Sequence, residues 1–377
     1  MQHSQSFDVI IIGGGIVGSS AALKLREFGL KVCLLERNTC GSQSSGINYG
    51  GVRRQGRSMA QMPLTQRAHG IWARLKEWIG VDGEYVRSGH LKLARSEADM
   101  QSLIDYRDRT AEYGLGLQIL DRNDIRQQYP WLGECAIGGS LCPEDGHANP
   151  RLVSPAIALA ARQAGATIHE RSPVDSVEHD GHVFHVRVSG QPASIRSKFV
   201  LNCSGAWSNK VCEMFGEKVP MTTSHPLMVV TEPVPLFMTL SLGVEGGGVY
   251  ARQVTRGNCV LGGTQGYALD PDHARPGTEG IQTVLMHAHA LLPSLSQAQV
   301  IRTWSGTEGR LPDREPVIGP SSTTPGLFHG FGFAGAGFQI GPAAGEVLAE
   351  LVALGETTTP IEAFSINRFF DVPSRSF

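Results

Sequence analysis

The chain has 377 residues, 46 of them glycine, with 33 basic against 35 acidic side chains and a formal charge of −2. That length holds two domains or one large interleaved one, and a near-zero balance without basic stripes or acidic runs argues against a nucleic-acid or polyanion partner. The seven cysteines (33, 40, 135, 142, 203, 212, 259) are scattered without a CxxC pair, which argues against zinc or iron–sulfur sites and fits a reducing cytoplasm.

Residues 1–7 are polar and carry no basic or apolar segment of a signal peptide, so the expected location is cytoplasmic. Residues 9–12 form a short β-branched run, which suits a buried parallel strand. Gly13-x-Gly15-x-x-Gly18 follows at once. Gly13 permits a tight turn, Gly15 lets a pyrophosphate approach the backbone, and Gly18 lets the next helix pack on the strand. That helix is expected over 16–28, with Ala21, Ala22, Leu25 and Phe28 on one face, and its N-terminal dipole favours a diphosphate. Gly29 ends it, 31–35 reads as the second strand, and Glu36 stands where a carboxylate accepts hydrogen bonds from a ribose 2′-OH. Strand, glycines, helix, strand and acid in this order predict a dinucleotide site rather than a structural turn. Glu36 disfavours a 2′-phosphate, so FAD or NAD is expected over NADP.

Residues 39–51 form a polar, Gly-rich loop at the C-terminal end of the parallel strands, where a loop faces the cofactor. Arg53, Arg54 and Arg57 follow. The pattern then predicts helix 59–79, strand 85–94, helix 96–113 capped by Ser96, helix 121–129, strand 135–142 and helix 150–164. A meander over 167–201 ends in a buried strand, a glycine turn and a helix at 206–216, a unit suited to the other side of a dinucleotide. Strands at 228–231, 248–253 and 259–264 suggest an antiparallel region, followed by helix 278–292 and a strand from 302. The run 316–345 lacks Asp, Glu, Lys and Arg, but its prolines and glycines rule out a membrane span. The last helix is expected over 340–354. The fold class is therefore α/β: a Rossmann-like dinucleotide domain (1–84, 145–222, 315–377) interleaved with an α+β substrate domain built on an antiparallel sheet (85–144, 223–314).

The stretches VIIIGGGIVGSSAALKL, EDGHANPRLV, VLNCSGAWS, GGVYARQ, WSGTEGRLPDREPVIGP and GFGFAGAGFQIGP together resemble the FAD-dependent D-amino acid oxidase superfamily over nearly the whole chain. The later motifs most resemble FAD subunits of opine oxidase, hydroxy-D-proline dehydrogenase and hydrogen cyanide synthase, and more distantly glycine and sarcosine oxidase. The resemblance implies an FAD site at Gly13, Gly15, Ile16, Val17, Gly18, Glu36, Arg37, Ser44, Ser45, Asn48, Gly50, Gly51, Val174, Ser204, Gly205, Trp207, Ala336, Gly337, Phe338 and Gln339. It implies a small amino-acid or amine substrate, hydride delivery to flavin N5, and redox partner subunits in a heteromer. Sarcosine-oxidase-like members hold FAD through a cysteine just before a Pro-Asp pair. Here WSGTEGRL precedes Pro312-Asp313 without one, so the FAD is expected to be non-covalent.

Four residues are candidates for substrate chemistry. Tyr250 matches a pocket tyrosine of glycine-oxidase-like members; the alternative is cross-strand packing. Arg53 is a carboxylate partner or a surface arginine. Glu308 replaces an arginine that grips the carboxylate in glycine-oxidase-like members, and so faces a cation instead. Gln339 likewise stands where sarcosine-oxidase-like members have a basic residue. His225 is a pocket base or a packed histidine. The lysine that activates oxygen in sarcosine-oxidase-like members corresponds to Val260, and no lysine follows Lys218, so a dehydrogenase is expected over an oxidase, the alternative being an arginine such as Arg252 or Arg310 in the lysine's role. The rival functions are a flavin-dependent 2-hydroxy-acid dehydrogenase and a non-catalytic FAD-bearing relay subunit.

Overall fold

The computed structural model describes residues 6–370. The start of the polar 1–7 segment, at 1–5, and the end of the 315–377 segment, at 371–377, lie outside the described residues. Two sheets of eight strands organise the chain. The first runs Val317–Pro320, Leu327–Phe331, Ile195–Asn202, Ser6–Ile12, Val32–Leu35, Thr167–His169, and Val174–His179 with Phe184–Val188 extends it from Ile195–Asn202. Its centre is parallel: Val9 and Ile11 sit opposite Val32 and Leu34 on one side and Phe199 and Leu201 on the other. Strands covered on both faces read as unbroken β-branched runs, and Val9, Ile10 and Ile11 are fully buried.

The first helix, Ile16–Glu27, lies against the last, Gly337–Ala353. A Cβ on Gly341 would stand 2.6 Å from Ile16 Cγ2, and one on Gly345 2.6 Å from Ser20 Cβ. The two backbones therefore approach as only glycine allows. The last helix begins earlier than the expected 340, because this packing overrides the poor helix propensity of its glycines.

The second sheet runs Val300–Ser305, Pro226–Pro233, Asn258–Gln265, Tyr250–Gln253, Ser241–Val244, His90–Ala94, Gly138–Cys142, Gln118–Leu120. Its pairs are antiparallel except Ser241–Val244 on His90–Ala94, which join two distant chain segments and so need no hairpin. The helix Thr278–Leu291 covers it with Val284, Ala288 and Leu291.

Several elements differ from expectation. The helix over 59–79 is two, Met62–Ala73 and Leu75–Ile79, parted at Arg74 (φ −116°, ψ 28°). The strand over 85–94 shortens to His90–Ala94, because Gly89 (φ +88°) breaks the extended chain. Ser96 caps Glu97–Arg109 in a capping box with Asp99, as the sequence indicated. The short pair Thr222–Ser224 and Glu308–Arg310 carries no periodicity long enough to read.

Side chains pin the loop over 39–51 to the second sheet. Ser44 Oγ donates to the Thr307 carbonyl at 2.5 Å, Trp304 Nε1 to the Ile47 carbonyl at 2.7 Å and Arg252 Nε to the Tyr49 carbonyl at 2.9 Å. The expected cofactor loop is thereby fixed between the sheets.

Candidate functional site

Gly13 leaves the first strand at φ +108°, and a Cβ there would lie 2.4 Å from the Cys203 carbonyl oxygen. A Cβ on Gly18 would meet the Gly13 carbonyl oxygen at 2.1 Å. These two glycines make the turn and seat the helix. Gly15 differs: its Cβ would touch only Ser45 Oγ, at 3.1 Å, so the surface above it is open. Beside it the Ile16 N–H donates to Ser45 Oγ at 2.9 Å, and Val17 is buried under the last helix. No acidic residue occupies the helix's first turn, which leaves its positive end to an anion.

Glu36 is 9% exposed; its Oε2 accepts the Gly14 N–H at 2.7 Å and its Oε1 the Asn38 N–H at 2.8 Å. The carboxylate is fixed, and each oxygen keeps a lone pair for a hydroxyl. Arg37 lies 3.7 Å over the Trp207 ring and pairs with Asp272 at 2.5 Å. Trp207 Nε1 donates to the Pro271 carbonyl at 3.1 Å. Pro271 and Asp272 thus form a roof for which the sequence holds no motif.

Asn48 Nδ2 binds the Ser44 and Ser45 carbonyls, and its Oδ1 accepts the Gly50 N–H. Gly50 (φ +90°) would place a Cβ 2.1 Å from the Ala148 carbonyl oxygen, and Gly51 opens a short strand against Gly146–His147. Val174 is half-buried at a strand start, while Ser204 Oγ donates to Asn202 Oδ1 at 2.6 Å just before Gly205 (φ +60°). At the last helix, Ala336 is the N-cap, Gly337 opens the first turn, and Phe338 packs on Trp72 with ring centres 5.1 Å apart. Gln339 Nε2 donates to the Thr65 carbonyl at 3.1 Å, but its Oε1 and Thr65 Oγ1 are buried without partners.

Next to that helix start, the Gly335 N–H donates to Glu308 Oε1. Burial pushes the Glu308 carboxyl above its ordinary range, against the pull of that N–H and of Arg310. Tyr250 packs edge-on to Tyr49 with ring centres 4.7 Å apart, and its hydroxyl reaches Met228 Sδ at 3.7 Å. Burial raises the Tyr250 hydroxyl, with Glu308 adding to the rise and Arg53 opposing it. Arg53 is lowered by burial, with Asp145, Tyr106, Tyr49 and Tyr250 acting on it in the other sense. Arg53, Tyr250 and Glu308 thus share one electrostatic neighbourhood. His225 adjoins it: its ring meets Thr307 Oγ1 at 3.4 Å, its neighbour Ser224 pairs with Glu308, and its backbone pairs with Gln265 and Gly266. Arg57 and Tyr106 belong to the same region, the Arg57 N–H donating to the Tyr106 hydroxyl at 3.1 Å. Sequence reasoning singles out Arg57 without assigning it; three arginines in five residues are the available signal.

A glycine turn on a parallel sheet, an open helix start and a fixed carboxylate at the next strand's end define a dinucleotide-dependent oxidoreductase. The open platform at Gly15 and the orphaned buried atoms of Gln339 and Thr65 fit a long dinucleotide between the two helix starts. The chain belongs to the family described as DAO, FAD dependent oxidoreductase, which matches residues 8–351, and FAD is its cofactor. It is 28% identical to glycine oxidase of Geobacillus kaustophilus over 379 residues, covering 96% of this chain and 97% of that one. The crystal structure of glycine oxidase from that organism superposes with a TM-score of 0.90 at 25% identity, over 97% of this chain and 99% of that one. An opine oxidase subunit of Rhizobium meliloti is 26% identical over 381 residues, 96% of this chain and 97% of that protein. Human mitochondrial sarcosine dehydrogenase is 26% identical over 382 residues, 96% of this chain but 41% of that longer protein. No helix among the described residues is long and apolar enough to cross a membrane.

Proposed function

We propose that this FAD-dependent oxidoreductase oxidises the C–N bond of a secondary or D-configured amino acid, hydroxy-D-proline-like or opine-like, and passes electrons to an acceptor other than oxygen. The observation that supports this reading is that Glu308, held by the Gly335 N–H just before the last helix, and Arg53 act with opposite sign on the Tyr250 hydroxyl. Relatives named glycine oxidase, sarcosine dehydrogenase and opine oxidase support an amino-acid or amine substrate.

Bound FAD supplies the hydride acceptor. The glycines at 13, 15 and 18 and Glu36 hold its nucleotide end, and residues 336–339 its flavin end. The N–H groups opening the last helix would stabilise negative charge developing on a flavin held there. Arg53 receives a substrate carboxylate and Tyr250 walls the pocket. Glu308 faces the substrate nitrogen, and its raised carboxyl is suited to take the ammonium proton and leave a neutral amine. The domain division read from the sequence is proposed with this assignment, the substrate lying between the two sheets.

For the acceptor, Val260 sits in strand Asn258–Gln265 opposite Val230 and Arg252, offering no charge where an oxygen-activating lysine would stand. The relative named as one subunit of an opine oxidase supports a heteromer through which electrons leave. A 2-hydroxy-acid dehydrogenase would use a base such as His225, whose ring meets Thr307 Oγ1, and flavin bleaching separates that rival from the amine reading.

Anaerobic reduction tests both parts. Secondary or D-amino acids should bleach the flavin, whereas 2-hydroxy acids should not. Bleaching by hydroxy acids alone, or by neither class, overturns the reading. Mixing the reduced protein with air-saturated buffer or with a dye should then show faster dye reduction; oxygen outrunning the dye, with stoichiometric peroxide, overturns the acceptor assignment. Acid precipitation should leave the yellow colour in solution, and colour in the pellet refutes non-covalent FAD.

A further inference from the structure

Arg53-Arg54-Gln55-Gly56-Arg57 holds three cations whose surroundings differ. Asp145, fully buried, accepts the Arg54 N–H at 2.9 Å, Arg54 Nε at 3.4 Å and the Gln55 N–H at 3.0 Å. Arg54 and Asp145 therefore neutralise each other. Lys92 pairs with Glu245. Arg53 makes one side-chain hydrogen bond, to the Gln55 carbonyl. Arg57 is 7% exposed, and its guanidinium makes no hydrogen bond among the described residues, with Nε buried and unpartnered. Arg53 and Arg57 act on each other as like charges, and burial weighs against both.

A guanidinium does not escape burial by losing its proton. Arg57 is buried and Arg53 half-buried, and such charges without hydrogen-bonded counter-ions are costly, since a buried ion forfeits several kcal/mol of hydration. The remaining carboxylate within reach of Arg57 is Glu308, which burial pushes toward neutrality and which Gly335 already engages. One carboxylate placed between the arginines would leave a net positive charge, and two would close the balance. Around them Tyr49 keeps a buried hydroxyl without a partner, and Tyr106 holds the Arg57 backbone at both N–H and carbonyl.

We propose that Arg53 and Arg57 each receive one carboxylate, so that the substrate is an N-(carboxyalkyl) amino acid, an iminodicarboxylate, rather than a monocarboxylate. Arg57 is then a specificity-determining residue. This rests on the reading that the pocket presents an amine to FAD, and it selects the opine-like branch of that reading over the proline-like one.

The test uses ligands that cannot be oxidised at a C–N bond, so it is independent of turnover. Thiodiacetate, with two carboxylates, and methylthioacetate, with one, are titrated into the FAD-loaded protein while the flavin spectrum is followed. The dicarboxylate should bind about 10-fold tighter or more, the worth of one charge-assisted pair. Arg57→Gln should bring it down to the monocarboxylate level and leave methylthioacetate within about 3-fold of wild type. Equal binding of the two ligands, no binding of either, or equal loss of both in Arg57→Gln overturns the proposal. If Arg57→Gln fails to load FAD, the wild-type ratio decides, with Arg57→Lys as the second variant. Failure of every amine to bleach the flavin alongside tight, Arg57-dependent thiodiacetate binding would refute the catalytic reading and with it the iminodicarboxylate substrate, leaving the two-carboxylate site alone standing.

Discussion

Two polar clusters, one at the edge of the nucleotide sheet and one around Arg53 and Arg57, are satisfied to different degrees. Under the nucleotide sheet, His329 Nε2 meets Glu217 Oε2 at 2.8 Å, and Ser322 gives Glu217 Oε1 both its N–H and its hydroxyl. Asn202 completes that cluster on the far side of the ring at 3.3 Å. Around Arg53 and Arg57, the two guanidinium groups make one hydrogen bond in all, from Arg53 to the Gln55 carbonyl, and Tyr49 keeps an orphaned hydroxyl. A closed cluster stabilises the fold. An open one is destabilising by itself and is retained where a ligand completes it.

Breaking the one closed ion pair within the arginine segment, Arg54 with Asp145, should have the largest effect. Asp145→Ala leaves Arg54 buried without a counter-ion and two backbone N–H groups unpaired, and should cost about 3–5 kcal/mol in denaturant unfolding. Gly18→Ala should follow, at about 1–3 kcal/mol with reduced FAD content, because its Cβ would lie 2.1 Å from the Gly13 carbonyl oxygen. On the open side the effect moves from stability to binding. Glu308→Gln should weaken amine substrate about 10-fold or more while FAD content stays at wild type; unchanged kinetics for both Glu308→Gln and Tyr250→Phe would remove these residues from the pocket.

The smallest effect is a difference in pH response. Burial works against Glu217, yet His329 and Ser322 hold its carboxyl below the ordinary value of 4.5. Its stabilisation is therefore present above that value and lost as pH falls through the lowered one. Glu308 is raised, so the folded state holds its proton longer and stability declines as pH rises above 4.5. Thermal melts should show Glu308→Gln gaining about 1–3 °C over wild type at pH 8 and nothing at pH 4. Glu217→Gln should show its deficit at pH 8 and lose it in acid.

The nucleotide side is the more legible in sequence, because glycine and β-branched spacing report backbone sterics directly. Gly13 and Gly18 make the turn that their spacing predicts, and Glu36 closes on the Gly14 N–H beside it. The last helix starts earlier than its propensity indicates, because propensity gives way to packing between Gly341 and Ile16. The substrate side is legible only in part. Tyr250 and Glu308 come from separate strands, and no spacing links them to Arg53. Whether an arginine in RRQGR is paired or unpaired depends on Asp145, far along the chain, so Arg54 and Arg57 look alike in sequence and differ in the fold.

That difference gives the most direct measurement: melting temperatures of ligand-free, FAD-loaded Arg54→Gln and Arg57→Gln side by side with wild type. Arg54→Gln should melt lower by about 3 °C or more, having taken the counter-ion from buried Asp145. Arg57→Gln should melt at or above wild type, having removed a buried charge that no carboxylate hydrogen-bonds among the described residues. A drop in Arg57→Gln as large as that in Arg54→Gln would show Arg57 to be structural and contradict its reservation for a substrate carboxylate.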